Sequence, residues 1–77
     1  MKYVIVKNDM GTEYPMLFPE GLNHSTVSKF GLGGEHEAVS AGFCIREQGR
    51  WATYGRSVTL RLASRPQDVD IVNQWFS

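Results

Sequence analysis

Arginine and aromatic side chains are interleaved in one stretch of the chain, and this pattern has clear binding chemistry. All five arginines fall between residues 46 and 65, where no lysine occurs, and two aromatic residues lie among them. A guanidinium group binds carboxylates or phosphates through paired hydrogen bonds and stacks on aromatic rings. Tryptophan, tyrosine and arginine are also enriched at the energetic centres of protein interfaces. The candidate partner-binding residues are therefore Arg46, Arg50, Tyr54, Arg56 and Arg61.

The strand pattern divides this segment into two faces. Residues of equal parity in a strand share a face, so Arg50 and Tyr54 should line one side and Trp51 the other. This predicts that Trp51 belongs to the core. Gly55 allows a bend that would break this alternation at Arg56. The prediction of a shared face is therefore stronger for Arg50 and Tyr54 than for Arg56. Three interpretations stay open: a solvated hairpin, a face that binds an acidic protein surface, and a face that binds nucleic acid.

Other reactive or metal-binding residues do not form a recognisable set. His24, His36 and Cys44 lack the spacing of a tetrahedral metal site, even with neighbouring glutamates. Cys44 lies in an apolar stretch, and a buried thiol has a raised pKa and little reactivity. The glycine-rich segment 31–34 is not followed by a helix start that could hold a phosphate. We therefore predict no catalytic residue, no metal and no cofactor, and expect a protein that is not an enzyme.

The composition limits the class of protein. The chain has 77 residues, of which 42% are hydrophobic and 21% charged, as expected for one folded domain. Eight basic and eight acidic residues give zero formal net charge, whereas nucleic-acid-binding domains are usually basic. No apolar run is long enough for a membrane span or a signal peptide. A single cysteine excludes an internal disulfide, and a cytoplasmic location is expected.

The predicted elements follow the order β-β-α-β-β-β-α. The strands are expected at residues 2–7, 12–18, 36–47, 51–54 and 57–62. A helix of about two turns is predicted at residues 24–30. Pro15 indicates that the second strand lies at a sheet edge or ends there, because proline cannot donate to a ladder. In the last strand, Val58, Leu60 and Leu62 are expected to face inward. Short turns favour a mostly antiparallel sheet, so the fold class is α+β, in one domain covering residues 1–77.

The last helix has the clearest signals. Ser64 begins a capping box, and apolar residues recur at helical spacing at Val69, Val72 and Phe76. A helix from residue 65 to about 76 should therefore dock on the sheet through these three side chains.

Four blocks of the chain are similar to segments of other proteins. They are Leu17–Glu20, Val39–Phe43, Tyr54–Ser57 and Leu62–Asp68. Together they resemble short uncharacterised proteins encoded by phages and bacterial prophages, from residue 14 onward. The resemblance implies a protein that acts inside a bacterial cell. Such proteins are usually not enzymes and often bind host proteins.

Two functional hypotheses follow. The first is a non-catalytic phage or prophage accessory protein that binds an acidic surface of a host or phage protein, for example as an inhibitor. The second is a small nucleic-acid-binding module, in which Trp51 or Tyr54 stacks on bases and arginines contact phosphates. The small core and the open sheet edges also predict a homodimer.

Overall fold

The fold is known for two ranges of the chain. A computed structural model describes residues 1–24 and 36–76. The strands are β1 (Lys2–Lys7), β2 (Glu13–Phe18), β3 (Glu37–Glu47), β4 (Arg50–Tyr54), β5 (Arg56–Ser57) and β6 (Leu62–Ala63), and helix α1 spans Asp68–Phe76. The helix predicted at residues 24–30, apart from His24, and the segment 31–34 lie outside the described residues.

Four of the strands form an antiparallel sheet in the order β2-β1-β3-β4. Strand β1 lies between β2 and β3, and its residues 3–6, which are aromatic or β-branched, are fully buried. Pro15 lies in the edge strand β2, as predicted. Strands β5 and β6 pair with each other as a separate antiparallel ribbon. The described elements therefore give the predicted α+β class.

The sheet has two different faces. On the face that we call the helix face, the core consists of Tyr3, Ile5, Cys44 and Val72, with Leu17, Val39, Trp51 and Ile71 packed around it. On the opposite face, Val4, Val6, Phe18 and Ala41 form a second cluster, against which Leu60 and Leu62 pack. Trp51 thus contacts the core, as its position in the strand predicts.

Helix α1 also closes part of the outer edge of the sheet. The side-chain oxygen of Asn73 accepts the Trp51 backbone N–H at 2.9 Å, and the Asn73 amide nitrogen donates to the Trp51 carbonyl at 2.9 Å. These Trp51 groups point away from β3, because adjacent residues along an antiparallel strand alternate in direction. The Asn73 amide therefore takes the place of a neighbouring strand at this position.

The start of α1 differs from the prediction. The helix begins at Asp68, not at residue 65, and Ser64 does not cap it. Instead, the Ser64 hydroxyl donates to the Gly55 carbonyl at 2.8 Å, which ties it to the β5 region. The Asp68 carboxylate accepts the Arg65 N–H at 2.9 Å. A side chain that the sheet region already engages is not available to cap the helix.

The buried side of α1 is only partly the predicted one. Val72 is fully buried, as expected, but Phe76 is 42% exposed. Ile71 packs against the core instead. Beside the last turn, the Arg46 guanidinium donates to the Phe76 carbonyl at 3.3 Å. The Arg46 side chain of β3 therefore contacts the end of the helix, while Phe76 stays largely exposed.

Residues 57–62 do not form the single strand predicted from their alternation. A four-residue turn separates β5 from β6. The Ser57 hydroxyl accepts the Leu60 N–H at 3.2 Å, and such local serine bonds compete with extended structure. Val58 is consequently 76% exposed instead of inward-facing. Leu60 and Leu62 still reach the core.

Within residues 1–24 and 36–76, no helix is long and apolar enough to cross a membrane.

Candidate partner-binding surface

Two aromatic side chains stack on the opposite face, at the margin of the sheet. Phe43 of β3 and Tyr54 of β4 are directly opposed in the strand register. Their ring centroids are 5.7 Å apart, and the ring planes differ by 22°. Cross-strand aromatic contacts of this kind stabilise a sheet. Tyr54 is nevertheless 50% exposed, so this aromatic pair presents a ring to solvent.

Two glycines allow the backbone to pass close to the aromatic pair. A Cβ atom on Gly42 would lie 2.6 Å from the Tyr54 carbonyl oxygen. Gly55 has a φ of +76°, and a Cβ atom there would lie 3.0 Å from the Phe43 ring. Glycine adopts positive φ readily and adds no side chain. The absence of a side chain at both positions therefore allows β3 and β4 to approach each other closely beside the aromatic pair.

A row of rings extends from the aromatic pair towards β2. The His24 ring lies edge-on to Phe43 at 5.9 Å and to Phe18 at 5.3 Å, measured between ring centroids. Its Nε2–H donates to the Gly42 carbonyl at 2.9 Å. Burial lowers the pKa of His24 below its ordinary value, and the Lys2 ammonium acts in the same direction, while the bond to Gly42 opposes both. His24 is therefore a neutral packing residue near pH 7.

Three cationic side chains lie on the same side of the sheet. The Lys2 ammonium is 6.0 Å from the centroid of the Phe43 ring. Arg50 shares the face of Tyr54, as the parity of the strand predicts. Arg56 lines a shallow cavity of about 210 Å³ together with Lys2 and Phe43. Neither arginine forms an ion pair with any described residue. Their charges are therefore available to a partner.

Arg46 and Arg61, the other predicted arginines, lie elsewhere. Arg46 is opposite Trp51 in the register and so lies on the helix face, where its guanidinium is 5.7 Å from the centroid of the Trp51 ring. Arg61 lies in the turn between β5 and β6 and lines a different cavity with Arg56. The structure therefore does not gather the five predicted residues into one surface. Arg46 is separated from Tyr54 because successive strand residues face opposite sides.

Arg65, the remaining arginine, is partly buried and is bound by two carboxylates of the chain. Its guanidinium donates to Glu13 at 2.6 Å and to Asp68 at 2.9 Å. The hydrogen bond to Glu13, and then the contacts with Asp68, raise the pKa of Arg65 although burial opposes this. These bonds connect β2 with the start of α1, and they leave the guanidinium engaged within the chain.

A buried carboxylate forms a second polar centre, on the helix face. Asp68 is fully buried and accepts hydrogen bonds from the Tyr3 hydroxyl at 2.7 Å and the Ser40 hydroxyl at 2.9 Å, besides those from Arg65. Burial, together with the hydrogen bond to Asp68, raises the pKa of Tyr3 well above its ordinary value. The donors are all supplied by the protein, so the network attaches the helix to the sheet.

The described residues offer little reactive chemistry. Burial raises the pKa of the Cys44 thiol, which disfavours the nucleophilic thiolate. Across residues 1–24 and 36–76, no three histidine, cysteine, aspartate or glutamate side chains come together as metal ligands. Tyr54, Arg50 and Arg56 expose an aromatic ring and two guanidinium groups, and groups of these types can stack on rings and bind carboxylates or phosphates.

Sequence reasoning missed Phe43, Lys2 and His24 as parts of the surface. A signal for Phe43 exists in the hairpin turn: counting outward from residues 48–49 places Phe43 opposite Tyr54. Lys2 and His24 depend on the pairing of β1 with β3 and on the path of the chain after β2, which no local pattern specifies.

A comparison of the chain with protein-family models, with curated proteins and with solved structures finds no match.

Proposed function

We propose that this protein is a non-catalytic binding module that docks on an acidic surface of another protein. The aromatic pair of Phe43 and Tyr54 is the anchor of the interface, and Lys2, Arg50 and Arg56 bind carboxylates of the partner. The resemblance to phage and prophage proteins supports a host or phage protein as the partner, and the cytoplasm of a bacterial cell as the compartment.

The observation that carries this proposal is the half-exposed Tyr54 ring, which is stacked on Phe43. A tyrosine that is already held in place loses little conformational freedom when it binds. Arg50 and Arg56 form no ion pair within the described residues, so they pair with a partner without breaking an internal contact. Tyrosine and arginine also dominate the energetics of known interfaces.

The test is a double variant, Arg50→Glu with Tyr54→Ala. Bacterial proteins captured by the immobilised wild-type chain are identified by mass spectrometry, and the purified partner is then titrated by calorimetry. The double variant should keep the fold but lose about 0.5–1.5 kcal/mol of stability, because Tyr54→Ala removes the ring that is stacked on Phe43. Its affinity should fall at least about tenfold, as expected for loss of an interface hot spot.

Arg46→Glu is the matched control, because it inverts the same charge on the helix face. It should retain the partner with an affinity within about threefold of the wild type. A double variant that binds the partner as tightly as the wild-type chain would contradict the proposal.

A second candidate function is nucleic-acid binding, which the exposed Tyr54 ring beside Arg50 and Arg56 favours. Bases stack on exposed aromatic rings while cations contact the backbone phosphates. In that case, the logarithm of the affinity for a single-stranded oligonucleotide falls linearly with the logarithm of salt concentration. Oligonucleotide binding with this steep salt dependence, lost in the double variant, would favour the second function over the first.

We also propose that the protein forms a homodimer. A chain of this size buries a smaller fraction of its surface on folding than a larger domain does, and self-association adds burial. Sedimentation equilibrium at high micromolar concentration should give twice the mass of the chain. A monomer mass under these conditions would exclude the dimer.

A further inference from the structure

A second cavity lies at the turn between β5 and β6. Its volume is about 340 Å³, and its lining residues are Arg56, Ser57, Val58, Arg61, Leu62 and Ala63. Two of the six are arginines, and the others have small or apolar side chains. A cavity with concentrated positive charge and an apolar wall suits an anion that carries a small organic group.

The backbone of Arg61 is unusual for an arginine. Its φ is +56°, in the left-handed region that glycine and asparagine occupy more readily. The Arg61 N–H donates to the Val58 carbonyl at 3.3 Å and closes the turn. The chain thus carries an arginine where the local geometry favours a residue without a long side chain. Such an outlier is a reason to look for a role of the guanidinium group.

The turn is fixed from within the protein. The Ser57 hydroxyl accepts the Leu60 N–H at 3.2 Å, and Leu60 and Leu62 pack against the buried cluster of the opposite face. Arg61 therefore extends from an anchored backbone. A ligand at this position requires little further ordering of the main chain, which favours binding.

The charge of the cavity is not neutralised by described residues. Arg65 has carboxylate oxygens at 2.6 and 2.9 Å, whereas neither Arg56 nor Arg61 has an ion-pair partner in residues 1–24 and 36–76. Two guanidinium groups attract a dianion more strongly than a monoanion. A phosphate monoester carries about 1.5 to 2 negative charges at pH 7 and presents three acceptor oxygens. A carboxylate or a phosphodiester carries only one charge.

We propose that this cavity binds the dianion of a phosphate monoester. Arg56 and Arg61 bind the phosphate oxygens, and Val58 and Leu62 contact the organic part. This site shares Arg56 with the proposed protein-binding surface but does not require the aromatic pair. A small phosphorylated metabolite and a phosphoserine side chain share this chemistry, and the probes below distinguish them.

The test is an NMR titration of the ¹⁵N-labelled full chain at constant ionic strength. The probes are inorganic phosphate, glycerol phosphate and a tripeptide that contains phosphoserine. Saturable shifts should concentrate in the amides of residues 56–63. Arg61→Gly should lose at least tenfold in affinity and keep the fold, since glycine accepts the positive φ. Arg46→Gln removes the same charge on the helix face, outside the cavity, and should change the affinity less than threefold.

An equal loss of phosphate affinity in the two variants would overturn the proposal, because it would show that the phosphate responds to the overall positive charge and not to this cavity. Failure of all three probes to saturate, or shifts spread over the whole sheet, would also overturn it. Tighter binding of the tripeptide identifies a phosphoprotein as the source, and tighter binding of either small probe identifies a metabolite or free phosphate. The double variant at Arg50 and Tyr54 should retain phosphate binding, so this proposal and the protein-binding function fail independently.

Discussion

The phenol of Tyr3 donates a hydrogen bond of 2.7 Å to the carboxylate of Asp68, although 65 residues separate them in the chain. Both side chains are fully buried. The bond therefore connects strand β1 to the first turn of α1 inside the protein. A buried carboxylate is stable only when donors surround it, so the position of the helix depends on this contact.

Replacing Asp68 with asparagine should destabilise the protein strongly. The amide group keeps the size of the carboxylate but brings an N–H₂ group towards the donors of Tyr3, Ser40 and Arg65. We expect the free energy of unfolding to fall by about 2–4 kcal/mol, measured by urea denaturation with tryptophan fluorescence. Asp70→Asn is the matched control, because Asp70 is exposed in the same helical turn, and it should change stability by less than about 0.5 kcal/mol. Equal effects of the two substitutions would show that the buried network is unimportant.

The raised pKa of Tyr3 predicts a loss of stability at alkaline pH. In the unfolded chain Tyr3 loses its proton near the ordinary pKa of 10.0, whereas the folded protein retains it. Above pH 10 the unfolded state therefore releases a proton that the native state keeps. Stability should decline by up to about 1.4 kcal/mol per pH unit through this group. Tyr3→Phe should be less stable at pH 7 but should show a shallower decline between pH 9.5 and 11.5.

Tyr54→Phe is the control for the alkaline series, because it removes a hydroxyl from an exposed ring. It should follow the wild-type decline. If Tyr3→Phe and the wild type lose stability in parallel, the buried phenol does not retain its proton as expected.

Gly42→Ala should displace the backbone that supports the aromatic pair. Its methyl group would lie 2.6 Å from the Tyr54 carbonyl, so β4 must move away from β3. We expect a loss of about 1–3 kcal/mol in stability, as for other overpacked sites, and altered NMR shifts for Phe43 and Tyr54. Gly21→Ala is the control, since a Cβ atom there meets no atom within 4 Å. A stable Gly42→Ala chain with unchanged Tyr54 signals would contradict this close approach.

Val72→Asp should unfold the domain. Val72 is fully buried in the helix-face core. The free-energy cost of burying an unpaired charge there exceeds the stability expected of a small chain. Circular dichroism should show the loss of structure at 25 °C. Gln74→Asp adds the same charge at an exposed helical position and should melt within a few degrees of the wild type. A cooperative melting curve for Val72→Asp close to that of the wild type would disprove the docking of the helix.

The sequence predicts the elements whose signals are local. Residues 3–6 identify strand β1 by composition, although not its place in the sheet, and Val72 identifies the docked side of the helix by spacing. The Ser57 turn could not be predicted by alternation, because one side-chain hydrogen bond overrides the strand pattern there. Asp68 lies four residues before Val72 and so on the apolar side of the helix, but its donors come from β1 and β3. That Arg50 and Tyr54 share a face can be predicted from the sequence, because both lie in one strand at an even spacing. That Lys2 lies beside them depends on the pairing of β1 with β3, which no local pattern specifies.

The contact between Asn73 and Trp51 blocks the addition of another strand to β4 at this position, because the Asn73 amide occupies the backbone groups of Trp51. A strand that adds to β4 must first displace the Asn73 amide, so the edge is protected only while α1 is docked. Partial unfolding that releases the helix would expose unpaired backbone groups beside Trp51, and such edges template aggregation. Conditions that melt α1 before the strands should therefore favour fibrils over a soluble unfolded chain.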